Sequence, residues 1–140
     1  MILNGDQRPK MTSREEFRFL SELVLARSCA DHTMIRLRDH HAGTTRFANN
    51  QVVQNVDVRR GELAVTVAFG GRQGTASTAD FTAGAIQETA FRAGKNAKVT
   101  PVDPEYLPPP DPCMFPARET AKSETMTAGP SRRLEYANEA

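Results

Sequence analysis

Residues 61–78 read GELAVTVAFGGRQGTAST. Leu63, Val65, Val67 and Phe69 occupy every second position, with Ala64, Thr66 and Ala68 between them. A period of two sends alternate side chains to opposite faces of a strand, so this run predicts a half-buried strand with one strongly apolar face. Gly70 and Gly71 follow, and paired glycines supply the positive φ that a tight hairpin turn needs. Residues 72–77 then return as a second strand. An antiparallel sheet is the framework on which the rest of the chain must pack.

Upstream, the same period continues. Val52, Val56 and Val58 point one way, and Asn55, Asp57 and Arg59 point the other. Arg60-Gly61 breaks this run. Asn49-Asn50 sits where a two-residue turn belongs, because asparagine tolerates positive φ. Before it, Thr45 and Phe47 alternate with Arg46 and Ala48, and Ile35 and Leu37 alternate with Arg36 and Arg38. Asp39, His40 and His41 lead to Gly43 and read as a polar hairpin tip. The reading gives about five strands, mostly antiparallel, since each link is too short for a crossover helix.

Two helices flank the strands. Ser13 followed three residues later by Glu16 is a capping-box pattern, and Phe17, Leu20, Leu23 and Val24 recur behind it at helical spacing. The first helix is expected over residues 14–28. Thr82 is the expected N-cap of the second, with Phe81 and Ile86 placed as a hydrophobic staple. Ile86, Ala90, Ala93 and Ala97 make a narrow stripe of mostly small residues that lets a helix approach a sheet closely. The expected fold is therefore α+β, with both helices on one face of the sheet, over the side chains of Leu63, Val65, Val67 and Phe69.

Eight of the nine prolines lie at or beyond Pro101. Proline fixes φ and removes a donor, so this stretch reads as an extended connector. The domain boundaries that follow are a flexible arm over 1–12, an α+β domain over 13–99, and a Pro-rich connector over 100–140. That last segment contains a helix start near Gly129-Pro130.

The charges nearly cancel, with 18 basic against 17 acidic side chains. No basic stripe exists to neutralise phosphates, so nucleic-acid binding has no support. Hydrophobic residues make up 39% of the chain, enough for a modest core. No apolar run is long enough to span a membrane, and the start lacks a signal-peptide core. Cys29 and Cys113 stand far apart and fit reduced thiols. A soluble cytoplasmic protein is the expectation.

The chemistry-bearing residues are few. His40 and His41 are adjacent, so a regular strand points them to opposite faces and they cannot share a metal. No HExxH, HExxxH or Cys-x-x-Cys spacing occurs. Gly70-Gly71-Arg72-Gln73-Gly74 is glycine-rich, but a strand follows it rather than the helix N-terminus that a phosphate cradle requires. The serines lack a nucleophile-elbow context. Arg59-Arg60 and Arg132-Arg133 read as solvated doublets. Five amides, Asn49, Asn50, Gln51, Gln54 and Asn55, crowd into seven residues. One reading is turn chemistry on a polar strand face. The other is a hydrogen-bonding edge for a peptide or a second subunit, since amides both donate and accept. Arg46 would add a carboxylate contact.

The string TRFANN at 45–50, with QN at 54–55 and the hairpin at 61–78, resembles the opening domain of the TldD/PmbA family of zinc peptidases and their partner subunits. The resemblance extends from residue 17 through the second helix to Pro101-Val102-Asp103-Pro104-Glu105 and the Gly129-Pro130 helix start. The asparagine-rich TRFANN looks more like the PmbA-type subunit. The resemblance implies a non-catalytic domain that takes part in subunit association, as a homo- or heterodimer, and in forming the chamber where peptides bind. It implies zinc for the full-length catalytic member, on a later HExxxH helix that this sequence lacks. No catalytic or metal residue carries over, and Arg46, Asn49, Asn50, Gln51, Gln54 and Asn55 remain the candidate binding set. A family member is expected to continue well past residue 140. A stand-alone binding or regulatory module and a truncated, non-functional remnant are the alternative expectations.

Overall fold

The computed structural model describes residues 11–49, 51–111, 113–114, 116 and 122–139. The chain runs α1 (Arg14–Leu25), β1 (His32–Ala48), β2 (Gln51–Phe69), β3 (Arg72–Thr78), α2 (Ala83–Val99), α3 (Ser123–Thr127) and α4 (Pro130–Glu139). The strands form one sheet in the order β1-β2-β3. Strands β2 and β3 are antiparallel, with Val65 opposite Ala76 and Val67 opposite Gly74.

Among the described residues the sheet thus has three strands, two of them long, rather than the expected five or so. The segments expected as separate strands around Gly43, and around Arg60-Gly61, are each continuous. Both glycines sit within strands because something fills the space that a side chain would take. A Cβ at Gly61 would come 2.8 Å from Cζ of Phe81. One at Gly43 would come 2.7 Å from Nη2 of Arg133. His40 and His41 consequently lie inside β1 and not at a hairpin tip. The turns that do occur fall on the residues with positive φ, Asn49 (52°), Gly70 (52°) and Gly71 (78°).

The chain divides into two compact units. The larger comprises residues 11–39 and 60–112, and it holds the apolar core. Leu20 and Val24 of α1, Leu63, Val65 and Val67 of β2, Ala76 of β3, and Ile86, Ala90, Ala93 and Ala97 of α2 form one buried cluster. The parity of the strand residues puts both helices on the same face, as expected. Each of the larger aliphatic chains contributes roughly 1.5–3 kcal/mol by leaving water.

Local signals place these helices. Ser13 accepts from the Glu16 amide at 3.1 Å, and Glu16 accepts from the Ser13 amide at 2.6 Å, which closes the capping box. The Thr82 hydroxyl caps α2 through the Ala85 amide. Gly74 lets α2 settle onto β3: a Cβ there would overlap the Ala97 amide nitrogen and the Ala93 carbonyl oxygen. The Asn96 side chain then donates to the Thr75 carbonyl at 2.8 Å. Thr12 donates twice to Asp39, from its amide and its hydroxyl, each at 2.7 Å. The proline-rich stretch begins pinned to the sheet, with the Asp103 amide donating to the Gly71 carbonyl at 3.0 Å.

The second unit comprises residues 1–10, 40–59 and 113–140. None of its described residues is a buried hydrophobic. Pro130 opens α4 at the first helical position, where its missing N–H is no loss. No helix among the described residues is long and apolar enough to cross a membrane. Cys29 and Cys113 are both exposed and free.

Candidate binding face

The smaller unit is built on residues 40–59 of the β1–β2 ribbon, and α4 is held to that ribbon by polar contacts. Asn55 stands at their junction. Its carbonyl accepts from the Thr45 hydroxyl at 2.9 Å and from Arg133 at 3.5 Å, and its amide donates to the Pro130 carbonyl at 3.3 Å. Arg133 reaches further. One guanidinium nitrogen donates to the Ala128 carbonyl at 2.9 Å; the other donates to the Val56 carbonyl at 3.3 Å and to the Asp57 carboxylate at 3.2 Å. Its Nε is buried and has no hydrogen-bond partner among the described residues. The guanidinium lies over Gly43, where any side chain would collide with it.

Asp57 also contacts Nε2 of His41 across the ribbon. The His41 contact draws the Asp57 carboxyl below its usual range; partial burial opposes this and Arg133 reinforces it. Asp57 keeps 32% of its side chain exposed, so the arrangement is a surface ion-pair network.

The residues singled out from the sequence therefore separate. Asn55 is engaged within the unit. Arg46, Asn49, Gln51 and Gln54 are exposed, and among the described residues their side chains make no hydrogen bond. Asn50 lies outside the described residues. Beside the free amides stand two apolar side chains facing water, Phe47 at 53% and Val53 at 63% exposure. An aromatic, an aliphatic, an arginine and several amides are thus exposed together at one ribbon end. The amides were legible in the sequence. The role of Arg133 was not, because an arginine doublet on a helix carries no mark of what it will reach. Arg132 behaves as a solvated residue, paired with Glu135 at 2.8 Å and stacked on Tyr136.

Donors for a metal are dispersed. Among the described residues no three His, Cys, Asp or Glu side chains converge. His41 is occupied by Asp57, His40 points the other way along β1, and the His32 ring stands 6.3 Å from that of Tyr106. An open cleft of about 860 Å³ is lined by Glu124, Thr125, Thr127, Ala128, Arg132 and Tyr136, without a histidine or cysteine.

Residues 34–97 match the family described as PmbA/TldA metallopeptidase domain 1. The structure of TldE from Thermococcus kodakarensis is similar, with a TM-score of 0.64 and 19% identity over 87% of this chain. The alignment covers 26% of that protein, so the chain spans about a quarter of its length. At this identity the likeness speaks for the fold. No curated protein matches the chain.

Proposed function

Through residues 34–97 the chain belongs to the PmbA/TldD metallopeptidase family, as that family's first domain, and on this premise we propose that it serves subunit association and peptide binding without hydrolysing bonds itself. The observation that carries the reading is the ribbon end, where Phe47 and Val53 face water beside Arg46, Asn49, Gln51 and Gln54, all without side-chain partners among the described residues. A monomeric domain gains nothing by exposing an aromatic at the end of a ribbon, whereas a partner surface gains apolar burial there. Zinc belongs to catalytic members of the family by resemblance. The described histidines, cysteines and carboxylates of this chain do not fit it, so no hydrolytic step is assigned to them. The partner is a TldD- or PmbA-type subunit. The working compartment is the cytoplasm, where two exposed free thiols such as Cys29 and Cys113 persist.

The test is association with a purified full-length family subunit, read by sedimentation velocity. The chain is expected to shift into a heavier complex. Replacing Phe47 and Val53 by serine is expected to weaken that complex by about tenfold or more, in keeping with loss of central apolar anchors. Complexes indifferent to both substitutions would remove the ribbon end from the reading. Cleavage of unfolded peptides by the chain alone, suppressed by a chelator, would overturn its non-catalytic character.

A further inference from the structure

The two edges of the sheet are treated differently. Strand β3 lies under α2, and Asn96 satisfies the Thr75 carbonyl. Among the described residues, strand β1 forms the other edge and pairs only with β2. Among the described residues, the sole backbone bond beside it that lies outside the regular elements joins the Asp31 amide to the Ala68 carbonyl, at the start of the strand. Over residues 33–38 the outer row of N–H and C=O groups therefore has no described protein partner. Such a row is a template for one more strand.

The side chains along this edge are not neutral. Ile35 and Leu37 turn inward and pack against the core. Met34, Arg36 and Arg38 alternate with them on the opposite face, and all three are exposed. Neither arginine makes an ion pair or hydrogen bond among the described residues. Arg60 adds a third cation on that side of β2, with Glu62 as the nearest carboxylate in the sequence. Two cations separated by one residue stand about 6.6 Å apart along a strand. An added strand presents its own side chains at the same interval. Carboxylates at alternate positions of an incoming segment would each meet an arginine, and an apolar residue two places further would meet Met34.

We propose that the β1 edge over residues 33–38 captures an extended acidic segment by strand addition, in the antiparallel order acidic, any, acidic, any, apolar. Main-chain hydrogen bonds to the open edge supply the docking geometry. Arg36 and Arg38 select for carboxylates, and Met34 fixes the register. This deepens the peptide-binding part of the proposed function and rests on it for biological meaning, but it uses a different surface from the ribbon end.

The experiment uses the full chain and three labelled heptapeptides, read by fluorescence anisotropy and by amide exchange at residues 33–38. The first is TETETLT. The second replaces both glutamates with lysine, and the third N-methylates the amides that would face β1. The first is expected to bind and to slow exchange along β1, with affinity falling as salt rises. The lysine peptide is expected to bind about tenfold more weakly or worse, and the methylated peptide not at all. The charge-reversed variant carrying Arg36→Glu and Arg38→Glu should exchange these preferences, taking the lysine peptide over the glutamate one. Equal binding of the two charged peptides, or an affinity untouched by the double substitution, overturns the inference. Binding of TETETLT that is unchanged by Arg36→Glu and Arg38→Glu but disappears on replacing Phe47 and Val53 also overturns it, moving the site to the ribbon end and leaving the proposed function intact. Conversely, peptide capture at β1 without any association with a full-length subunit would sink the association reading and leave this one standing.

Discussion

Asp57 is held by two cationic or potentially cationic neighbours, His41 and Arg133, and the pair joins α4 to the ribbon. Its carboxyl titrates below the ordinary aspartate value, with the His41 contact as the main cause. The sign of the consequence follows from linkage. A depressed folded value means that the contribution is fully present above the usual aspartate pKa of about 3.9. It is lost as pH falls through the lowered value. Exchange of the amides in α4 should therefore stay slow through mild acid and accelerate only below about pH 4. Asp57→Asn should speed exchange at neutral pH and flatten this acid dependence. An acid profile identical in the two proteins would show that the carboxylate is not what ties α4 down. Sequence alone exposed Asp57 only as a polar member of an alternating strand. Its partner Arg133 lies 76 residues away, a distance no spacing rule can bridge.

At the scale of elements, the signals that proved readable were those with local physics. The Ser13–Glu16 capping box, the Gly70-Gly71 turn and the Ile86-Ala90-Ala93-Ala97 stripe each depend on residues within one or two turns of each other, and each is found where expected. The number of strands was not readable. Glycine in a strand signals a break only when nothing replaces its missing side chain, and at Gly43 and Gly61 distant groups, Arg133 and Phe81, do so. The candidate site divided in the same way. The free amides at the ribbon end could be picked out by composition, but the engagement of Asn55 depends on Pro130 and Arg133, which only tertiary structure brings near. The approach of α2 to β3 tests this element-level logic. At Gly74 a methyl group would meet helix backbone, which cannot rotate away as a side chain can. Gly74→Ala is expected to cost about 2–3 kcal/mol, the upper part of the range for overpacking, and to lower the urea midpoint accordingly. Gly84→Ala, on the open side of α2 with nothing near its added methyl, should instead be neutral or raise stability by up to about 1 kcal/mol. Equal effects at the two glycines would contradict the close approach.

For the whole molecule, the two units rest on different forces. The larger buries twelve hydrophobic residues among those described, yet six of them are alanines, so a few aliphatic side chains carry most of the apolar stabilisation. The smaller buries none among its described residues and relies on Arg133, Asn55, Asp57 and His41. Surface ion pairs contribute roughly 0–1 kcal/mol each, so that unit should open well before the core melts. Ile86 is fully buried in the core cluster, and Ile86→Ala should cost about 2–4 kcal/mol, a large share of the stability of so small a domain. Arg133→Ala should leave the core nearly untouched. Amide exchange resolves the two cases residue by residue: Ile86→Ala is expected to speed exchange across α1, α2, β3 and the core half of β2. Arg133→Ala is expected to speed it in residues 40–59 and α4 while the slowest amides of β2 keep their rates. If the arginine substitution instead shifted the main urea transition as far as the isoleucine one, the molecule would unfold as a single cooperative body, and the division of forces drawn here would fail.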